Sequence, residues 1–583
     1  MRVSLSAVPP CLPWACPGWC WCVAGRCVPS VVVQGVLALT SSSPHRPQKR
    51  RGVWPGARTA LAVLAAGAVL AACGGEDAPP PPPPDHFGYA VGSELRTSNA
   101  GSTVGVSDHA DYVVARVYPA AFVAGPKGQM IPNTDLVAAQ AVPGRQKKIL
   151  YRIHEQARYS DGVPVTCDDF HLAVVAGQRQ DIFPSHIPLA EQVDQVDCVP
   201  GSKDFSVLFK EGLGDRWRQL FSAGTVLPSH TIQQAAAITP EAWSAALAGM
   251  DDEALQAIAT QWDEGFRLSE FRPEMQVSYG PYRIDSVRED GGVVLVRNES
   301  WAGDPAEVAE IVVWPKSTDL AAKNATGSVE IADLIGVPTV DWVDRNDPTN
   351  HFDVSFGAGE LIEELVLSND GVLASPEARQ AFAACIDQPA IAAVSSSMAG
   401  VETPPLATRL LPYGDPLNDQ TRDIAEAHLG IDVERASALA GQQIHIGYMG
   451  PDPRKAAMVE AMRASCAQAG IDIVDAHDVG GSVSQLHRQV PTPWGGVNVL
   501  PGALDAVLVG MDPLLQYPGA DVDPTDVEGV RAAEVTLWEE VPTVPLCAQP
   551  RTFVIDRQVG NVVVNTASAG IGWNMDRWQE NPQ

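Results

Sequence analysis

The order of periodic segments in the second half of the chain predicts an α/β protein. Ile444, Ile446 and Tyr448 alternate as a strand, a helix runs from Asp452-Pro453 to Ala469 and stops at Gly470, and residues 471–474 and 503–509 are further apolar strands. Strand, helix, strand and strand at this spacing argue for a βαβ unit. The composition agrees with a folded body. Of 583 residues 45% are apolar and 19% charged, enough for a large core in two to four domains of about 150 residues each. That excludes a disordered or fibrous chain. With 40 Lys and Arg against 70 Asp and Glu, the net charge is −30, a surface that repels phosphate backbones and argues against nucleic acid as a partner.

Taken from the N-terminus, residues 1–72 read as a leader. Lys49, Arg50, Arg51 and Arg58 precede the apolar run 60–70, which closes on Leu70-Ala71-Ala72-Cys73. A basic head, about ten apolar residues and small residues at the end describe a secretory signal. The run is shorter than the about 20 residues a membrane span needs. Leu-Ala-Ala-Cys before Gly74-Gly75 resembles a bacterial lipobox. The resemblance implies acylation of Cys73, cleavage before it, and anchoring to the outer face of the cell membrane by lipid. Residues 1–48 carry Cys11, Cys16, Cys20, Cys22 and Cys27 among Pro and Trp, in no paired metal-binding pattern. Residues 1–52 are expected to precede the true start of translation. Without residues 1–72 the chain keeps 33 basic and 70 acidic residues, a net charge of −37. Pro79 to Pro84 form a semi-rigid polyproline spacer within residues 73–86, lifting the body off the membrane.

In the body, Ile149, Tyr151 and Ile153 alternate with Leu150, Arg152 and His154 as a strand and run into the turn Tyr159-Ser160-Asp161-Gly162. Asp168-Asp169-Phe170 opens a helix to about Gln178, its acids favourable at the N-terminus. Phe205, Val207 and Phe209 make a strand. Gly280-Pro281-Tyr282 leads to Ile284, and Asp290-Gly291-Gly292 signals a hairpin before residues 293–297. Ser375 caps a helix with Pro376 at its first position, running through Phe382, Cys385 and Ile386. No internal repeat is found.

Five cysteines remain in the body. Export permits disulfides. Cys167 and Cys198 lie 31 apart within one region and are expected to pair; Cys385 and Cys466, each on a predicted helix, are expected to bridge two helices, with Cys547 left over and buried. Five packed thiols are the alternative.

Three ordered motifs carry a resemblance. They are Tyr159-Ser160-Asp161-Gly162-Val163-Pro164-Val165-Thr166-Cys167-Asp168-Asp169-Phe170; Tyr279-Gly280-Pro281-Tyr282 with the later Leu295-Val296-Arg297-Asn298-Glu299-Ser300-Trp301; and Ser375-Pro376-Glu377-Ala378-Arg379-Gln380-Ala381-Phe382 through Ile386-Asp387. Over residues 87–580 the chain resembles the extracytoplasmic solute-binding proteins of family 5, which bind peptides, nickel chelates or haem for ABC importers, in an actinobacterial-like lipoprotein form. The resemblance implies a two-lobed periplasmic-binding-protein-like fold of type II, with an extra subdomain in lobe 1. Lobe 1 is expected at 87–316, lobe 2 at 317–547 and a return to lobe 1 at 548–583, with crossings near Trp314 to Asp319 and Pro545 to Arg551. The Tyr-Ser-Asp-Gly motif itself reads as a structural turn.

Four residues follow as ligand-binding candidates. Tyr118, after the first predicted strand, and Tyr279, beside Gly280-Pro281, sit where this family faces its ligand. Trp494, in a Pro-Thr-Pro-Trp-Gly-Gly loop, is placed to stack on a side chain or ring. Asp512, in Met511-Asp512-Pro513-Leu514-Leu515-Gln516-Tyr517, is the nearest counterpart of an aspartate that holds the peptide amine in many peptide binders. Core packing is the alternative for each aromatic, and a helix cap or surface ion pair for Asp512. The expected function is a lipid-anchored receptor that is monomeric, takes a peptide or other small solute, and serves an ABC permease and ATPase. An envelope lipoprotein with a signalling or assembly role is the alternative. No nucleophile elbow, phosphate loop, dinucleotide fingerprint or zincin motif is present, so neither catalysis nor a cofactor or metal is expected.

Overall fold

The computed structural model describes residues 86–580 apart from 250, 492–496, 518, 520, 521 and 524. The leader, Cys73, the proline run and Trp494 lie outside the described residues. The body is α/β, built on one ten-stranded sheet. Two long antiparallel strands run through its middle, Phe352–Leu367 and Thr543–Asp556. On one side the sheet continues through Ile331–Ile335, Phe87–Val91, Glu310–Trp314, Val293–Arg297 and Tyr282–Val287. On the other it continues through Ala506–Met511, Gln443–Gly447 and Asp472–Asp475.

The long strands change company along their length. Residues 352–358 pair with 550–556, and residues 551–555 pair onward with Ile331–Ile335. Past a register shift between Ala358 and Ile362, residues 362–367 pair with Ala506–Met511. Two cores follow from this exchange. One gathers Tyr89, Tyr112, Trp262, Leu295 and Trp578, the other Leu365, Phe382, Ile446, Met462 and Leu508. Each fully buried aromatic or aliphatic side chain contributes about 1.5–3 kcal/mol, so each half is stabilised by its own interior.

The pairing corrects one expected boundary. The helix Leu320–Ala325 and the strand Ile331–Ile335 stay with the first half, because Ile331 pairs beside Tyr89 and the Val329, Leu334 and Phe352 side chains pack with Trp314. The first crossing is therefore the shifted stretch of Phe352–Leu367, not the segment after Trp314. The second lies in Thr543–Asp556, where Cys547 and Ala548 face Glu363 and Ile362.

An extra subdomain stands on the first half. Its four-stranded antiparallel sheet runs in the order Val137–Val142, Lys148–Ile153, Asp204–Phe209, Val193–Cys198. Ile149, Tyr151 and Ile153 point inward in strict alternation, and Tyr151 stacks on Phe205 at 4.8 Å. The helix Cys167–Gln178 is anchored through Asp169, whose carboxylate accepts from the Thr166 N–H at 2.8 Å and from the Ser229 N–H and hydroxyl at 2.8 and 2.7 Å. Gly162 turns at φ +88°, and Asp161 accepts from the Val163 N–H, so the Tyr-Ser-Asp-Gly motif is a structural turn.

Cys167 is bonded to Cys198, and Cys385 to Cys466; Cys547 is a buried free thiol. Among the described residues no helix is long and apolar enough to cross a membrane.

Candidate functional site

The cleft between the halves is lined from both sides. One cavity of about 60 Å³ lies between His109, Asp111 and His186 of the first half and Met511, Asp512 and Gln516 of the second. A neighbouring one of about 50 Å³ adds Phe122, Met130, Glu360 and Trp573 and shares Asp111 and Asp512. Asp512 ends the Ala506–Met511 strand, and its carboxylate caps the short helix Pro513–Leu515 by accepting from the Leu514 N–H at 3.0 Å. Capping fixes the side chain at the cavity wall, so the two roles coexist.

The cleft is acidic, and burial governs its acids. Asp111 is raised to about 7, first by burial and then by the nearby Asp512 carboxylate. Burial likewise raises Asp512 against the hydrogen bonds from Leu514 and Ser568, and raises Glu360, which also feels Asp512. Carboxyls crowded in a desolvated space resist ionising together, and a cation among them restores the charged forms. His109 is lowered to about 3 by burial and then by the Lys455 and Arg551 charges, and so stands neutral.

Several contacts hold the halves together around this space. The Arg216 guanidinium donates to the carbonyls of Gln516 at 2.6 Å and Tyr517 at 2.8 Å, and at longer range to Leu514 and Pro513. His186 Nε2 and Gln516 Oε1 are 2.6 Å apart, and Lys316 Nζ lies 3.0 Å from Asp452. Buried bidentate pairs brace the crossings. Arg551 holds Asp333 at 2.5 and 2.6 Å, and Arg454 holds Glu363 at 2.5 Å to each oxygen.

Of the four candidates, the structure brings Asp512 to the cleft. Tyr118 and Tyr279 take the alternative and pack in the core. Tyr118 is 3% exposed, with its hydroxyl 3.2 Å from Ser98 Oγ and its ring against Phe266. Tyr279 is 1% exposed, donates to the Asp135 carbonyl at 2.7 Å and meets Trp301 edge-on. Both rings belong to the buried interior of the first half. Sequence reasoning missed Asp111, Glu360 and His109. The run Asp108-His109-Ala110-Asp111, polar groups set between Val106 and Tyr112-Val113-Val114, was the available signal. Among the described residues one cluster has metal-ligand types, Cys167, Asp168 and Cys198, and its two sulfurs are bonded to each other.

Comparison with known proteins places this geometry in a family. A lipoprotein of Mycobacterium tuberculosis, described as uncharacterised, is 31% identical over 540 residues, covering 84% of this chain and 92% of the relative. A lipoprotein of Mycobacterium leprae is 28% identical over 536 residues, with the same coverage. Among solved structures, a periplasmic EDTA-binding protein aligns with a TM-score of 0.60 at 17% identity, over 86% of this chain and 98% of that one. An oligopeptide-binding protein from Thermus thermophilus, complexed with a pentapeptide, aligns at 0.58 and 14% identity over 85% and 96%. At such identities these two likenesses speak for the two-lobed fold alone. Residues 135–474 match the middle region of the bacterial extracellular solute-binding proteins, family 5, which bind solutes and are not enzymes. A shared two-lobed architecture, a match over more than half the chain and lipoprotein relatives spanning most of it make this chain a member of the extracellular solute-binding proteins of family 5.

Proposed function

We propose that the protein is a lipid-anchored receptor of an ABC importer that closes on an oligopeptide or a similar small polar solute and hands it unaltered to a membrane permease and its ATPase. The observation that most supports this reading is the pair of cavities lined from both halves with Asp512 at their junction. A hinge at the two long strands lets the halves open and shut, and a ligand that binds only the shut form shifts the population toward it. Asp111, Glu360 and Asp512 favour a solute bearing a protonated amine, because such a group relieves the carboxyl crowding. The pentapeptide-bound Thermus thermophilus protein and the EDTA-binding protein show the range of cargo this fold accommodates.

A thermal-shift screen with peptides, metal chelates, haem and sugars tests the reading. A ligand at a hundred times its Kd stabilises the folded form by about 2.7 kcal/mol, so one class is expected to raise the transition, and Asp512→Ala to abolish the rise. A screen in which no class moves the transition overturns the receptor assignment. The anchor is tested separately by Cys73→Ala, expected to release the protein from membranes or leave its precursor unprocessed; unchanged lipid labelling refutes it.

A further inference from the structure

Beyond Asp512 the chain runs through the helix Pro513–Leu515 to Tyr517, whose backbone lies in the left-handed region at φ +60°. A bulky side chain is strained there, so its surroundings must hold it. The Tyr517 carbonyl accepts from Arg216 of the first half. The ring is 8% exposed and packs with Leu410, Leu411, Val530 and Leu537. The hydroxyl donates to Glu364 Oε2 at 2.7 Å and lies 2.9 Å from the Thr543 hydroxyl. Glu364 and Thr543 belong to the two long strands, so the end of the Asp512 segment is seated on the crossing itself.

This seat is dry and charged. Glu364 is 1% exposed, and Arg409 and Glu534 near it are fully buried. Arg409 donates to the Thr543 carbonyl from Nε at 3.2 Å and from Nη2 at 2.7 Å. Glu534, on the helix Val527–Glu540, accepts from the Leu410 N–H at 2.7 Å, and its other oxygen stands 3.9 Å from Arg409 Nη1, past hydrogen-bond reach. Val509 and Pro545, the strand neighbours of Glu364, bring no charge, and the adjacent Glu363 is paired with Arg454. Among the described residues one guanidinium thus serves two buried carboxyls. Burial raises Glu364 to about 7, against the Tyr517 and Thr543 hydroxyls and the Arg409 charge, and burial raises Glu534 too. Since the Tyr517 hydroxyl lowers the Glu364 carboxyl, it bonds the ionised form more strongly than the neutral one.

We infer that Glu364 and Tyr517 are positioning residues, a post on the crossing strands that holds the segment carrying Asp512 at the cavity wall and slackens when Glu364 takes up a proton. Arg216 grips that segment from the first half, and the post grips it from the second. In a solute receptor the cleft would then loosen in acid, a consequence that rests on the receptor reading; the post itself is measured without a solute.

The Leu514 and Leu515 N–H groups, bonded at 3.0 Å each to the carboxylate and carbonyl of Asp512, report whether the segment keeps its shape. Hydrogen exchange of these amides on the ligand-free full chain, at about pH 5.5 and about pH 8 and corrected for intrinsic rates, tests the post. Tyr517→Phe is expected to speed exchange about tenfold or more at the higher pH, where a charge-assisted bond is lost, and about threefold at most at the lower. In a Glu364→Gln background, which keeps a neutral acceptor, Tyr517→Phe should act equally at both. Between the two pH values the parent should also gain protection relative to Glu364→Gln, a comparison that leaves Tyr517 in place and decides the matter where melting curves show Tyr517→Phe unfolded. Asp111, Asp512 and His186 lie along the segment in every form, so differences between variants report Glu364 with its Arg409 and Glu534 neighbours. Exchange unmoved by Tyr517→Phe, an increase in the parent background that is the same at both pH values, or a parent and Glu364→Gln that track each other overturns the post. Each of those results leaves the receptor reading standing, because no solute enters the measurement. A silent thermal screen removes the receptor reading and leaves the post as a property of the fold.

Discussion

Replacing Arg216 by alanine should let the two halves swing apart. The guanidinium is 4% exposed and reaches across the cleft to four main-chain carbonyls. The contact to Pro513, at 3.5 Å, counts for little, and that to Leu514, at 3.2 Å, is marginal. The bonds to Gln516 and Tyr517 are short, and a hydrogen bond to a charged group is worth about 1.5–3 kcal/mol. Their joint loss is thus about 3–6 kcal/mol, and since parting halves let water reach the freed carbonyls, the lower end applies. About 3 kcal/mol lowers the ratio of closed to open forms roughly a hundredfold. The assay is single-molecule energy transfer between dyes on cysteines introduced at Glu155 and Glu434, exposed positions of opposite halves. Arg216→Ala is expected to populate a longer distance in the ligand-free protein, and Arg216→Lys to fall between, because a point charge cannot fork to several carbonyls. Distance distributions and melting curves for Arg216→Ala that superimpose on the parent would refute the clasp.

Three further outcomes are expected. Asp333→Ala strands the fully buried Arg551 guanidinium and should cost about 3–5 kcal/mol, read as a lowered denaturant midpoint; an unchanged midpoint would mean the pair adds nothing. Opening Cys385–Cys466, which spans 81 residues, should destabilise by about 4–5 kcal/mol, and opening Cys167–Cys198, which spans 31, by somewhat less, about 3.5–4 kcal/mol, on chain entropy; paired Cys→Ser variants compared in denaturant check the order. Asp111, raised to about 7 when folded, binds its proton more tightly in the folded than in the unfolded chain. Its burial therefore costs nothing below the ordinary carboxyl pKa and progressively destabilises as pH climbs from about 4 to 7. Asp111→Asn should accordingly raise the melting temperature at pH 8 and leave it nearly unchanged at pH 4. His109 and His428, lowered to about 3 and 4, act in the opposite sense and are common to both proteins, so the difference between the two melting profiles reports Asp111 together with its coupling to Asp512.

Local pattern was enough for much of the architecture. The alternation at Ile149, Tyr151 and Ile153, the Asp161-Gly162 turn and the helix start capped at Ser375-Pro376 are dictated by neighbours in sequence and stand where local pattern placed them, although that helix ends at Ala383, short of the expected Cys385 and Ile386. The crossing in Phe352–Leu367 carries no clear local signal, because Gly357 and Gly359 interrupt its alternation. Only pairing with Thr543–Asp556, remote in the chain, holds that stretch extended. The site suffers the same difficulty. Asp512 is reached through the family resemblance, as the nearest counterpart of an aspartate that follows an apolar strand. Asp111 and Glu360 come from distant segments and line a common cleft with Asp512 only once the long strands bring the halves together. Tyr118 and Tyr279 show the reverse error, since an aromatic near a turn carries no sequence mark that tells interior from cleft.

Closure and charge are coupled through a single segment. Asp512 caps the helix Pro513–Leu515, and Arg216 clasps the carbonyls that follow, so the contact that shuts the halves also fixes the acid at the cavity wall. In an open form water reaches Asp512 and Asp111, and both ionise as ordinary carboxylates. Shutting an empty cleft then requires burying two like charges side by side or taking up a proton, and either opposes closure near neutral pH. A cationic group between them removes that opposition, while the Arg216 clasp supplies attraction whether or not a guest is present. On the receptor reading proposed above, a constant clasp set against a guest-dependent electrostatic cost would make closure responsive to the solute, and that reading predicts that Asp111→Asn shuts more readily when empty and gains less from a bound amine than the parent does.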